Sequence, residues 1–229
     1  MLEKKRPKAL FFDVNETLLD LTKMKASVSK ALNGREDLLS LWFTTMLQYS
    51  LVTTASEQYE HFEDIGAATL QMVAANNGIS ILEKDAHKII MKSLRALPAH
   101  PDVKPALSAL KKAGYKLAAF TNSSNKSVKN QFEHADLTAY FDEVLSVEDI
   151  GKFKPFSETY EWAAQKMNIK PEDCMLIAAH GWDVAGAVWA GWRAAFISRP
   201  GQQKFPLAPK TELTEPDLKK LADILVTYK

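Results

Sequence analysis

Two hydrophobic rhythms divide this chain. In one, short apolar runs end abruptly on small polar or charged residues. The first is Ala9-Leu10-Phe11-Phe12, which breaks at Asp13-Val14-Asn15-Glu16-Thr17. Similar runs cover 115–120, 143–146, 174–179 and 194–198. Apolar runs of this length bounded by turn formers predict buried strands of a parallel sheet. Between them lie helical patterns over 103–113, 126–135, 157–167 and 184–190. Strands alternating with helices imply βαβ units.

The second rhythm fills residues 21–97, where strand signals are nearly absent and there is no proline. Apolar residues there recur at helical spacing, as in Leu38, Leu39, Trp42, Phe43 and Met46. Asn33-Gly34 and Asn76-Asn77-Gly78 separate one helix from the next. The block reads as about four helices inserted after the first strand, and Leu97-Pro98-Ala99-His100-Pro101 reads as the linker that closes it. The expected organisation is therefore an α/β core of residues 1–20 and 98–229 with a helical cap over 21–97.

Composition narrows the partners. A chain of 229 residues with 46% hydrophobic residues can bury a full core. The net charge of +1 and the lack of a basic run argue against nucleic acid. The stretch MLEKKRPKAL lacks a signal peptide's apolar segment, and no run is long enough for a membrane span. One cysteine, Cys174, rules out an internal disulfide and suits a reducing cytoplasm. Its neighbours Met175-Leu176-Ile177 make it a core residue. The expected partner is a small molecule; a homodimer is compatible with this reading, and no cofactor is called for.

Four polar clusters fall at the carboxyl ends of predicted strands: Asp13 to Thr17, Thr121-Asn122-Ser123, Lys154-Pro155, and His180 to Asp183. Open α/β sheets bind their ligands at that edge. Asp13 admits two readings, a nucleophile or a helix cap, and Asp183 too can be read as a cap. A nucleophilic carboxylate needs a cation to keep it ionised, which Lys154 can supply. Donors at Thr121 and Asn122 can orient it or bind what leaves it. His180 is either a satisfied polar residue or a base for a hydrolytic water, oriented by Asp183. The other histidines, His61, His87, His100 and His134, read as surface residues without metal-ligand spacing, and Trp189 and Trp192 as packing.

These clusters resemble the four motifs of the haloacid dehalogenase superfamily. More narrowly, the chain is similar to type II (L-2-haloacid) dehalogenases, through Tyr160, through His180-Gly181-Trp182-Asp183-Val184-Ala185-Gly186-Ala187, and through Leu41-Trp42 and Phe62 in the helical block. The resemblance implies a Rossmann-like core with a helical cap. It implies Asp13 as the nucleophile that forms an ester with a substrate carbon, and roles for Thr17, Thr121, Asn122, Ser123, Lys154, Tyr160 and Asp183. Trp182 and Phe62 would be apolar walls.

Departures shape the expectation further. Superfamily phosphatases place an Asp two residues after the nucleophile and a metal-binding acid about four residues before the position of Asp183. Here these are Asn15, which cannot relay a proton, and Ala179. Magnesium-dependent phosphoryl transfer is therefore the lesser reading, and a non-catalytic, metabolite-binding relative is a third. Type II dehalogenases carry an Arg where this chain has Phe43, usually a Tyr where it has Asn15, and an Asn where it has His180. Arg35 and Arg95 are the arginines that could replace the missing guanidinium.

Overall fold

The computed structural model describes residues 5–229; residues 1–4, the start of the expected core segment and of the stretch MLEKKRPKAL, lie outside the described residues. Its strands are β1 (Ala9–Phe12), β2 (Lys116–Thr121), β3 (Glu143–Ser146), β4 (Cys174–Ala178), β5 (Arg193–Ile197) and β6 (Leu213–Glu215). They form one sheet in the order β3-β2-β1-β4-β5-β6, and every pairing is parallel. All four β1 residues are fully buried, as are the side chains of β4, so both faces of the sheet are covered. That is why these strands read as unbroken apolar runs.

The strand order reverses direction between β1 and β4, the point where a doubly wound sheet opens a crevice at its carboxyl edge. Phe12 pairs with Ala119 on one side and with Ile177 on the other. The residues following β1, β2 and β4 consequently emerge side by side.

The helices of the core are α5 (Val103–Lys112), α6 (Asn125–Ala135), α7 (Ser157–Lys166), α8 (Gly181–Trp189) and α9 (Leu218–Leu225), and between β1 and α5 the chain forms α1 (Thr22–Ala31), α2 (Leu38–Ala55), α3 (Phe62–Asn76) and α4 (Glu83–Arg95). Numbered in chain order, these are the helices the sequence pattern placed in the 21–97 block. Asn33 and Gly34 both adopt left-handed backbone (φ 56° and 81°), which ends α1 as the Asn-Gly pair suggested.

The chain leaves the sheet and returns to it through adjacent strands of linker. Leu19 and Ala99 form an antiparallel bridge, and the Asp20 N–H donates to the Pro98 carbonyl at 2.8 Å. Two further contacts tie these four helices to the segments that follow β2 and β3. Glu63 of α3 accepts from the hydroxyls of Ser124 and Ser127 at the start of α6, the latter at 2.6 Å. Thr54 of α2 accepts from the Phe153 N–H at 3.1 Å.

Several readings need correction. β6 escaped the pattern because a three-residue strand with two polar positions has no usable period, and α9 is absent from the expected elements although Leu218, Leu221, Ala222 and Leu225 recur at helical spacing. α8 begins three residues before the expected 184, since Gly181, Trp182 and Asp183 form its first turn. Trp192 packs 4.4 Å from Phe11, but Trp189 is 57% exposed and touches only the edge of Phe205 among aromatic rings. Cys174 is buried, and burial pushes its thiol up to about 12.

Gly186 sets how closely α8 can approach. A methyl group there would stand 2.5 Å from the Pro155 side chain and 2.6 Å from the Tyr160 hydroxyl. Overfilling a packed site of this kind costs about 1–3 kcal/mol. Gly186→Ala should lower stability by that amount in denaturant unfolding, with an unchanged slope.

Candidate active site

Asp13 is the first residue beyond β1 and is only 5% exposed. Its N–H donates to the Ile177 carbonyl at 3.1 Å, so the sheet ladder itself fixes its backbone. The chain then turns sharply, with the Leu18 N–H returning to the Val14 carbonyl at 2.9 Å. Inside this turn the Thr17 hydroxyl donates to Asp13 Oδ2 at 2.7 Å and accepts from the Ala179 N–H at 2.9 Å. One hydroxyl thereby joins the ends of β1 and β4. From outside, Arg199 donates to the Thr17 carbonyl at 3.0 Å while gripping Asp102 through two hydrogen bonds. The turn needs left-handed backbone at Glu16, φ 64°, which costs a side-chain-bearing residue about 1–2 kcal/mol.

Lys154 lies on the other side of Asp13, its side chain fully buried. Its ammonium donates to Asp13 Oδ1 at 3.1 Å, to Asp183 Oδ2 at 2.6 Å and to the Phe120 carbonyl at 2.9 Å. Three protons thus meet three acceptors, as a buried ammonium requires. Asp183 Oδ1 accepts from the Tyr160 hydroxyl at 2.6 Å. Burial alone would lower the Lys154 pKa, but Asp13 and Asp183 outweigh it and raise it. Burial pushes Asp13 up, yet Lys154, His180 and Thr17 together hold it below the ordinary carboxylate range. Asp183 goes the other way: burial, aided by Asp13, raises it against the pull of Lys154.

His180 precedes α8 directly and is 4% exposed. Its Nδ1 lies 3.1 Å from Asp13 Oδ2, the same oxygen that Thr17 holds. Its Nε2 lies 3.4 Å from Glu16 Oε2, an ion-pair distance without the direction of a hydrogen bond. Phe43 covers one side of the ring at 5.9 Å and Trp182 stacks at 5.3 Å. Burial disfavours the charged ring, but Asp13 and Glu16 prevail and push it up to about 9. The carboxylates around His180 are therefore Asp13 and Glu16. Asp183, read from the sequence as its orienting partner, turns instead toward Lys154 and Tyr160, because it sits on the inward side of the first turn of α8.

The remaining sequence-predicted residues fall into place less directly. Thr121 and Asn122 do not hold the Asp13 carboxylate. The Thr121 hydroxyl accepts from the Ser123 N–H at 3.1 Å, and Asn122 Oδ1 accepts from the Lys154 N–H at 3.0 Å. Asn122 thus positions the lysine by its backbone. Asn15 donates to the Ser123 hydroxyl at 3.0 Å and accepts from Gln131 at 3.0 Å. Phe43 and Phe62 line an apolar cavity of about 20 Å³ beside Asn15 and Glu63, room for one water-sized guest. Phe43, His180 and Trp182 also line an open cleft of about 480 Å³ that reaches Glu16, Lys25 and Gln202. Arg35 pairs with Asp37 at the surface, and Arg95 is exposed; neither lines this cleft. His61 and His100 are half-buried rather than surface residues, and His100 Nε2 lies 3.1 Å from the Glu16 carbonyl.

Glu16, Glu63, Gln131 and Arg199 were not singled out in the sequence. Glu16 is 6% exposed and takes Lys25 on one oxygen at 2.6 Å and Gln202 on the other at 2.9 Å. A charged residue in the middle of the turn after Asp13 was the available signal. Glu63 and Arg199 meet their partners across large sequence separations, and no local pattern marks them. Among the described residues, no group of three or more His, Cys, Asp or Glu side chains is placed to hold a metal ion.

Comparison with known proteins agrees with this geometry. A family model described as haloacid dehalogenase-like hydrolase matches residues 7–191. The chain is 28% identical to (S)-2-haloacid dehalogenase 1 of Pseudomonas sp. (strain CBS-3), over 89% of this chain and 90% of that protein. It is 26% identical to haloacetate dehalogenase H-2 of Moraxella sp. (strain B), over 96% of this chain and 99% of that one. Among solved structures, L-2-haloacid dehalogenase from Xanthobacter autotrophicus superimposes with a TM-score of 0.88 at 22% identity, covering 96% of this chain and 98% of that chain. The fold, the edge where the polar clusters meet and the match over most of the chain lead to one conclusion: this protein belongs to the haloacid dehalogenase-like hydrolases.

Proposed function

We propose that this protein removes halide hydrolytically from a small 2-halo carboxylate, through an ester on Asp13. The observation that carries the proposal is a buried carboxylate, kept ionised by Lys154 and held in direction by Thr17, at the switch point of the sheet. The names of the relatives from Pseudomonas and Moraxella support the substrate class. In the first step an Asp13 oxygen attacks the halogen-bearing carbon and the carbon–halogen bond breaks, its electron pair leaving with the halide. Oδ1 carries one hydrogen bond against two on Oδ2 and is the freer nucleophile. Water then adds to the Asp13 carboxyl carbon, and the ester bond to the product oxygen breaks. A 2-hydroxy carboxylate leaves and Asp13 is restored.

Lys154 offsets the charge of Asp13 before attack and after the ester is hydrolysed, and Asp183 with Tyr160 fixes Lys154 in turn. The four helices α1 to α4, within residues 21–97, serve as the cap. Phe43 and Phe62 form apolar walls, and movement about the paired linkers at Leu19 and Ala99 admits the substrate.

Phosphoryl transfer fits these residues poorly. A magnesium ion next to Asp13 needs further oxygen ligands. Asn15 is committed to Ser123 and Gln131, and Ala179 offers no side-chain ligand. Asp183 is held by Lys154 and Tyr160, and Glu16 by Lys25 and Gln202.

Two measurements follow. Asp13→Asn should abolish halide release from 2-chloropropionate while leaving the folded circular dichroism spectrum intact, because the amide is nearly isosteric but a poor nucleophile. Undiminished release by that variant would remove Asp13 from the reaction. Added magnesium or a chelator should both leave the rate unchanged. A rate that depends on magnesium, or turnover of phosphoesters in preference to haloacids, would favour the phosphatase reading.

A further inference from the structure

Asp13 Oδ2 receives two donors at once, the Thr17 hydroxyl at 2.7 Å and His180 Nδ1 at 3.1 Å. The opposite oxygen, Oδ1, faces only the Lys154 ammonium. If Oδ1 is the atom that joins the substrate carbon, Oδ2 becomes the ester carbonyl oxygen. It is then the atom on which negative charge develops when water adds. Two donors already aimed at such an atom, in a buried setting, lower the barrier because nothing must reorganise during the step. We infer that Thr17 and His180 form an oxyanion hole for hydrolysis of the Asp13 ester, and that Glu16 keeps the imidazole ring charged while Asp13 is esterified. The inference rests on the ester chemistry proposed above.

Glu16 is needed because esterification removes the charge of Asp13. In the free enzyme the ring lies between two carboxylates, Asp13 at Nδ1 and Glu16 at Nε2. In the ester only Glu16 remains to oppose the cost of burying the imidazolium. Glu16 is suited to this role. It is held by Lys25 and Gln202 and has its backbone fixed in the left-handed region. The aromatic faces of Phe43 and Trp182 also favour a cation between them. The other charged groups around the ring are Lys154 and Asp183, paired with each other beyond Asp13, and Lys25 and Glu36, which line the cleft from the cap side.

The step balances without further reagents. Water adds to the Asp13 carboxyl carbon, and the electron pair of the carbonyl bond moves onto Oδ2. That oxyanion collapses, and the bond between the carboxyl carbon and Oδ1 breaks. One water proton ends on the departing product alkoxide, and the other is released to solvent together with the halide. Thr17 and His180 keep their protons and donate hydrogen bonds. His180 is thus a donor to the reacting atom, where the sequence suggested a base. Glu16 is a positioning residue.

The two roles predict opposite pH dependences. A base must lose its proton to act, so ester hydrolysis would accelerate as pH rises. A charged donor must keep its proton, so ester hydrolysis slows as pH rises through the imidazolium value, about 9 in the free enzyme and lower in the ester. The test uses the full chain with 2-chloropropionate in rapid-quench experiments, following the halide burst for ester formation and intact-protein mass for the ester. His180→Ala should retain the burst and accumulate ester, with hydrolysis slowed about a hundredfold or more. His180→Asn guards against misfolding, since Asn is a good helix cap; it keeps an N–H donor, and its falling pH limb should vanish. Glu16→Gln should shift the falling limb to lower pH and add nothing in the His180→Ala background. Ester hydrolysis that speeds up with pH, a slowed burst with no ester accumulation in His180→Ala, or an unmoved limb in Glu16→Gln would each overturn the inference. Absence of any halide release from the unmodified enzyme would instead refute the dehalogenase reading on which it rests.

Discussion

The site depends on one ammonium group. Lys154 Nζ sits between Asp13 and Asp183 with no access to solvent, and its third proton goes to the Phe120 carbonyl. Two carboxylates at the same sheet edge would repel each other and be forced toward the neutral acids if that charge were missing. Removing one partner of such a buried network typically costs about 3–5 kcal/mol, because the other is left charged and unpaired. The surrounding structure is arranged to keep the lysine in place. Asn122 holds its backbone, Tyr160 holds the far carboxylate, and Gly186 lets α8 approach closely enough for Tyr160 to reach.

A second charge arrangement lies on the cleft side of Asp13, and it brings together two of the departures from the type II pattern, Phe43 and His180. The resemblance implies a guanidinium at Phe43 and an amide at His180. A guanidinium facing the imidazolium would be repelled, whereas a phenyl ring offers the negative face of its π system. Phe43, His180 and Glu16 thus lie together on the cleft side of Asp13, the ring of His180 between the Phe43 phenyl and the Asp13 and Glu16 carboxylates.

Much of this was legible in the sequence, for identifiable reasons. Buried parallel strands write themselves as apolar runs, and a chain entering a turn at the carboxyl edge writes itself as Asp13, Thr121 or His180 at the end of such a run. Asp13, Thr17, Lys154 and Asp183 could be gathered because the strand ends gather them. The direction in which a side chain points was not legible. Asp183 and His180 are three residues apart on one helical turn and face different partners, and Thr121 and Asn122 turn toward their own loop and toward Lys154. Glu63, Gln131 and Arg199 act across contacts that have no local signature. The short strand β6 lacked the length to declare a period, whereas α9 carries one, in Leu218, Leu221, Ala222 and Leu225, that went unread.

The claim most exposed to direct test is that Asp13 attacks carbon. With enzyme in excess over a 2-halo carboxylate in oxygen-18 water, a single turnover should give unlabelled 2-hydroxy product and place the label in the Asp13 carboxylate, visible in the mass of its peptide. Label in the product of that first turnover, with Asp13 unlabelled, would mean that water attacks the substrate itself and would contradict the ester mechanism.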